Sequence, residues 1–200
     1  MGKKTDNVLT NLKNVLLTLQ PTGENGFEGL IAVVLAGITG VPFRLSSSGS
    51  QHGIDGRSVY ETDSICFEAK RYSGKLSKKE ITSKIAELAV NDNTIDLWVL
   101  GATTAISNQN KKLFCSVANK VGIAVLILDW SVAGLPPLAT ALALSKNETM
   151  EFLQQNIVDK SMQDLAQNAF EAITNYSGFN EHAERLKLLL NEPTIGSGLL

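Results

Sequence analysis

Residues 95–129 read IDLWVLGATTAISNQNKKLFCSVANKVGIAVLILD. Two runs in it, 95–102 and 123–129, are apolar almost without interruption, and a helix-patterned segment, 108–121, lies between them. Strands that are apolar on both faces belong in the middle of a sheet covered on both sides. Upstream, 54–60 and 65–72 read as two further strands joined by a short turn at 61–64, and 41–45 as a third. The amphipathic segment 77–91 separates these from 95–102, with Ile81, Ile85, Leu88 and Ala89 on one face. Residues 6–19 and 24–39 have helical spacing; Pro21 and Gly23 end the first, and Gly40 and Pro42 the second. The order is helices, a three-strand meander, helix, strand, helix, strand. It predicts an α/β fold: a mixed sheet flanked by helices.

After Trp130 the pattern contains no further strand. Residues 136–144, 148–157, 161–175 and 180–190 all read as helices, which divides the chain into a core, 1–130, and a helical appendage or linker, 131–200. The end, GSGLL at 196–200, carries no helix stop, so further domains are expected beyond it.

The bulk numbers exclude several classes. With 200 residues, 44% hydrophobic and 19% charged, the chain can bury a substantial core and is not disordered as a whole. The longest apolar stretch, 30–37, falls far short of the roughly 20 residues of a membrane helix, and 1–14 has no signal-peptide run. A soluble, cytoplasmic protein is expected. Cys66 and Cys115 have no partner at metal-ligand spacing, so they read as thiols and not as a zinc site. No phosphate-binding glycine loop is present, and Trp98 and Trp130 read as core or core-edge residues. The net charge of −2 is unevenly spread: residues 1–130 carry 14 basic and 12 acidic side chains, residues 131–200 carry 4 and 8. Within 70–84 six basic residues face only Glu80, a patch able to attract a polyanion or simply a solvated helix face.

The chemistry is concentrated in GIDGRSVYETDSICFEAKRY, residues 53–72. Side chains alternate along a strand, so Glu68 and Lys70 share one face while Phe67 and Ala69 share the other. Charges at the end of an apolar strand are costly unless paired or bound to a metal. If the two strands pair through the 61–64 turn, Asp55 stands beside Glu68. Two adjacent carboxylates repel, and a divalent cation relieves that. Magnesium takes one or two carboxylates with water and phosphate oxygens. Such a centre suits phosphodiester hydrolysis, with the Ala69 main-chain carbonyl as a further ligand and Lys70 orienting or deprotonating the attacking water. A Glu-x-Lys alone is unspecific. The hairpin context, the preceding Asp55 and an acid on the earlier helix, Glu28, sharpen it; Glu24, one turn before, could take the place of Glu28.

GFEG (26–29), GID (53–55) and FEAK (67–70) resemble the three acidic motifs of the PD-(D/E)XK, restriction-endonuclease-like nuclease superfamily, over about residues 20–130. Ile54 stands where the family's name has proline. The resemblance implies a restriction-endonuclease-like sheet, Asp55 and Glu68 as metal-binding acids, Lys70 as the catalytic lysine, Glu28 as the accessory acid, and Mg²⁺ or Mn²⁺ as cofactor. KRYSG (70–74), 95–109 and ILDW (127–130) are similar to N-terminal effector nuclease domains of bacterial anti-phage STAND NTPases. That similarity implies antiviral defence and fusion to an NTPase or sensor module.

The expected activity is DNA endonucleolysis, on double-stranded DNA with low sequence specificity, by a homo-oligomer with no membrane association. Arg71, Tyr72, Lys75, Lys78, Lys79, Gln109, Gln51 and His52 are candidate DNA contacts, each of which could equally be packing, capping or loop. The alternative is a non-cleaving nucleic-acid-binding or assembly domain of the same fold.

Overall fold

In a computed structural model, residues 3–46, 54–59, 65–91, 94–131 and 134–192 are described. The elements in order are α1 (Lys3–Thr18), α2 (Phe27–Thr39), β1 (Phe43–Leu45), β2 (Gly56–Ser58), β3 (Ile65–Lys70), α3 (Lys78–Asn91), β4 (Leu97–Ala102), α4 (Asn108–Asn119), β5 (Ala124–Leu128), α5 (Pro137–Leu144), α6 (Lys146–Asn156), α7 (Lys160–Thr174) and α8 (Phe179–Asn191). The five strands form one mixed sheet in the order β1-β2-β3-β4-β5. β1 pairs with β2, and β2 with β3, antiparallel; β3, β4 and β5 are parallel. The α/β class, the helical flanks and the C-terminal helices are those expected from the apolar patterning.

Alternation along the strands sorts the core into two layers. Ile65, Phe67, Ala69, Val99, Leu126 and Leu128 pack on one side with α1, α2 and the C-terminal helices. Cys66, Trp98, Leu100, Val125 and Ile127 pack on the other with α3 and α4. The C-terminal helices are not set apart from the sheet. Leu142, Leu153, Phe170 and Leu186 lie in the same apolar cluster as Leu12 of α1 and Leu35 of α2. In the segment expected as an appendage, α5 contacts β5, and α6, α7 and α8 pack on α1, α2 and α5, so this segment extends the core on that side of the sheet.

Several boundaries differ from the sequence reading. β3 ends at Lys70 and not at 72, since Tyr72 leaves the ladder to bond with Thr103. β2 is only three residues long. α2 begins at Phe27, after a turn in which Gly23 adopts φ 86°. Glu24 thus lies in that turn, exposed, and does not share the helix face with Glu28. The 61–64 turn lies outside the described residues, as do Gln51 and His52.

One close approach positions the site. A Cβ on Gly101 would sit 2.9 Å from Cδ1 of Ile31. Gly101 pairs with Ala69, so two small residues lie side by side at the C-terminal end of β3 and β4. α2 settles there, and its first turn, with Glu28, comes to that end of the sheet.

Candidate active site

β3 delivers two charges to one face at its C-terminal end. Glu68 is completely buried and Lys70 is half-buried. The β2–β3 register pairs Gly56 with Phe67, so one step further along Asp55 stands opposite Glu68. Opposed residues on neighbouring strands bring their Cβ atoms to within about 4.5–5.5 Å. Asp55 is itself buried, with its N–H donating to the Phe67 carbonyl (2.8 Å) and its own carbonyl accepting from Ser46 N–H (2.8 Å). Its Oδ2 accepts the Ala69 N–H at 2.8 Å, which holds the carboxylate across the end of β2.

That hydrogen bond also places the Ala69 carbonyl. In an antiparallel ladder a residue's N–H and C=O leave the strand on the same edge. The Ala69 amide points toward Asp55, so its carbonyl does too, beyond the last residue of β2. The neighbouring Lys70 carbonyl faces the other way and accepts the Thr103 N–H at 3.1 Å.

Glu68 Oε1 contacts two ammonium groups, Lys70 Nζ at 2.5 Å and Lys84 Nζ at 3.0 Å. Lys70 also reaches Glu80 Oε1 at 3.2 Å. Glu68 Oε2 is buried and has no hydrogen-bond partner among the described residues. Glu28 is half-buried and close enough that its charge acts on Asp55. Its Oε2 accepts the Gly23 N–H at 2.8 Å, so the turn before α2 fixes its orientation.

The electrostatics follow from burial and crowding. Burial pushes the Asp55 carboxyl above the ordinary range; the Ala69 amide opposes this and the Glu28 charge adds to it. Burial raises Glu68 as well, and the Asp55 charge beside it raises it further, against Lys70 and Lys84. Burial alone would lower Lys70. The Glu68 carboxylate, with Asp55 and Glu80 behind it, outweighs that and holds the ammonium well above the usual lysine range.

The donor set fits a hard divalent cation of the magnesium kind. Among the described residues no three His, Cys, Asp or Glu side chains converge into a cage. Instead, among the described residues, Asp55 uses Oδ2 to accept the Ala69 N–H and Glu68 keeps Oε2 without a hydrogen bond, with the Ala69 carbonyl on the same edge. Magnesium is commonly held by one or two carboxylates plus water and substrate phosphate, and does not need a full protein cage.

The other expected contacts divide. Arg71, Tyr72 and Lys75 line an open cleft of ≈ 620 Å³ beside the site, with Ser73, Gly74, Ser77, Leu17 and Glu80. That size is within the roughly 300–1,000 Å³ of ordinary ligand clefts. Arg71 is committed in part, since its Nη1 donates to the Leu17 carbonyl at 2.7 Å and its Nε is enclosed. Lys78 and Lys79 are exposed on the first turn of α3, and Gln109 is exposed on the first turn of α4.

Lys84 and Glu80 entered the sequence reading only as members of the charged run 70–84, and Thr103 and a second buried pair did not enter it as site residues. Lys84 had a visible signal: it lies three residues after Ile81 and one before Ile85, at the edge of the buried stripe of α3. The second pair is Lys111 Nζ to Asp129 Oδ1 at 2.9 Å, with Asp129 Oδ2 accepting the Ile106 N–H at 2.8 Å. It ties the N-terminal part of α4 to the end of β5. The Thr103 hydroxyl accepts the Tyr72 N–H and donates to the Tyr72 carbonyl, both at 2.9 Å, which closes the start of the cleft loop onto β4. Thr103→Val leaves both main-chain groups unpaired and is expected to cost about 1–3 kcal/mol in urea unfolding. An unchanged midpoint would show that the loop does not depend on this clasp.

No protein-family model matches this sequence, and no curated protein matches it significantly.

Proposed function

We propose that this domain is a metal-dependent nuclease of the PD-(D/E)XK kind, hydrolysing phosphodiester bonds in DNA with Mg²⁺ or Mn²⁺. The observation that carries the reading is the pair of opposed buried acids, Asp55 and Glu68, beside the Lys70 ammonium. When bound, the cation would supply a Lewis acid and a more acidic water. Asp55, Glu68 and the Ala69 carbonyl would hold it. Glu28 adds negative charge behind Asp55.

Lys70, paired with Glu68 and Glu80 at the end of β3, is placed to orient or deprotonate the attacking water and to offset charge gathering on the phosphate. The cleft with Arg71, Tyr72 and Lys75 offers cations and an aromatic ring to the strand beside the scissile bond, through contacts that carry little sequence information. Cutting of double-stranded DNA by paired copies, a cytoplasmic location and service as an anti-phage effector fused to an NTPase or sensor belong to the same proposal and rest on the motif resemblance. No helix among the described residues is long and apolar enough to cross a membrane.

One observation favours the rival reading, a nuclease-like domain that binds without cutting. Lys70 and Lys84 already balance Glu68, so the cluster can persist without metal. Plasmid cleavage separates the two. The nuclease converts supercoiled plasmid to nicked or linear forms in Mg²⁺ or Mn²⁺ and not in EDTA. Asp55→Asn, which can still accept the Ala69 N–H, loses both cutting and Mn²⁺ binding. A wild-type protein that binds DNA but neither binds Mn²⁺ nor cuts would establish the rival.

A further inference from the structure

Glu68 is the most deeply buried acid of the site, and it carries two cations on one oxygen. Lys70 and Lys84 both contact Oε1, at 2.5 and 3.0 Å. One ammonium balances one carboxylate. A second, held this close to the first, is repelled by it, and the neighbouring acids Glu80 and Asp55 offset that repulsion. The two lysines also differ in origin. Lys70 is the last residue of β3 and is shared between Glu68 and Glu80. Lys84 comes from the middle of α3, between the buried Ile81 and Ile85 in sequence, and pairs with Glu68.

The geometry points to Lys84 as the standing counter-ion of Glu68, a positioning residue that frees Lys70 to turn from that carboxylate to the substrate phosphate. A buried carboxylate stripped of its cation is strongly unfavourable. If Lys70 were the only cation on Glu68, moving it toward a phosphate would leave Glu68 bare. With Lys84 in place Glu68 stays balanced, Oε1 stays occupied and Oε2 stays free. The destination of Lys70 rests on the nuclease reading. The redundancy of the two ammonium groups does not, since it concerns the metal-free protein.

The test therefore has two arms. In EDTA, urea midpoints are measured for wild type, Lys70→Met, Lys84→Met and the double variant. Each single variant is expected to unfold close to wild type. The double variant falls by about twice the sum of the single shifts or more, the coupling expected of groups that share a partner. In the second arm, plasmid cleavage in Mg²⁺ shows kcat of Lys84→Met down about tenfold or more with KM nearly unchanged, and restored by Lys84→Arg. Additive shifts in the first arm overturn the inference, and so does a wild-type kcat for Lys84→Met. Failure of Lys84→Met alone to fold also overturns it, because Lys70 would then be unable to balance Glu68. A coupled cycle in a wild type that cuts nothing would leave Lys84 as the counter-ion and remove the nuclease reading instead.

Discussion

Lys70→Met is expected to lower the rate of metal-dependent DNA cleavage by about 10²–10³-fold, the usual loss when one preorganised donor is taken from a developing oxyanion. The reasoning starts from its surroundings. Lys70 lies at the C-terminal end of β3, between Glu68 at 2.5 Å and Glu80 at 3.2 Å, and is the strand lysine next to both candidate metal-binding acids. Methionine keeps much of the length and apolar stem and removes only the charge. The fold is expected to survive, because Lys84 remains 3.0 Å from Glu68 Oε1. Binding of DNA to the cleft should change little, since Arg71, Tyr72 and Lys75 are untouched. The measurements are initial cleavage rates in Mg²⁺, a circular dichroism melt and oligonucleotide anisotropy. Wild-type cutting by this variant would exclude Lys70 from the chemistry.

The largest effect on stability is expected from Lys111→Met, away from the candidate metal centre. Lys111 and Asp129 form an ion pair with side-chain exposures of 7% and 0%. Removing the lysine leaves a buried carboxylate whose main remaining support is the Ile106 N–H. Breaking such a pair from one side typically costs about 3–5 kcal/mol. Replacing both members, Lys111→Met with Asp129→Leu, is expected to be much milder, because no bare charge remains, although the Ile106 amide loses its acceptor. Urea unfolding of the three proteins decides this. A double variant as unstable as the single one would mean that α4 is held to β5 by the Ile106 bond and not by the ion pair.

Lys70 and Asp129 both lie at the C-terminal end of the parallel strands, and they differ in how legible they were in the sequence. Glu68 and Lys70 could be placed on one face from sequence because a strand alternates its side chains with a fixed period. Asp55 could be placed beside them because antiparallel neighbours place opposed residues together, and the Gly56–Phe67 register has that consequence. The continuous apolar runs that became β4 and β5 announced a sheet covered on both faces, and every residue of both strands is buried. Lys111 and Asp129 were harder to find. They are 18 residues apart, on a helix and at a strand end, and nothing in either segment alone marks them as partners. The basic run 70–84 was misleading in part. It reads as one cationic patch, yet Lys70 and Lys84 turn inward to Glu68 while Lys75, Lys78 and Lys79 stay exposed.

The sequence by itself determined the features that depend on local periodicity: the apolar strands, the amphipathic helices, and the Asp55, Glu68 and Lys70 arrangement on a hairpin. Tertiary structure alone decided the rest. It brought the C-terminal helices into one core with α1, α2 and one side of the sheet, set α2 against Gly101 so that the Glu28 charge acts on Asp55, and gave Glu68 its second ammonium from α3. The physical reason is the range of the interactions. Backbone pleat and helical pitch act between residues a few positions apart and leave their mark in the order of residues. The partner of a buried charge is chosen by which elements pack across a sheet, and that choice is settled only when the apolar faces have been buried against one another.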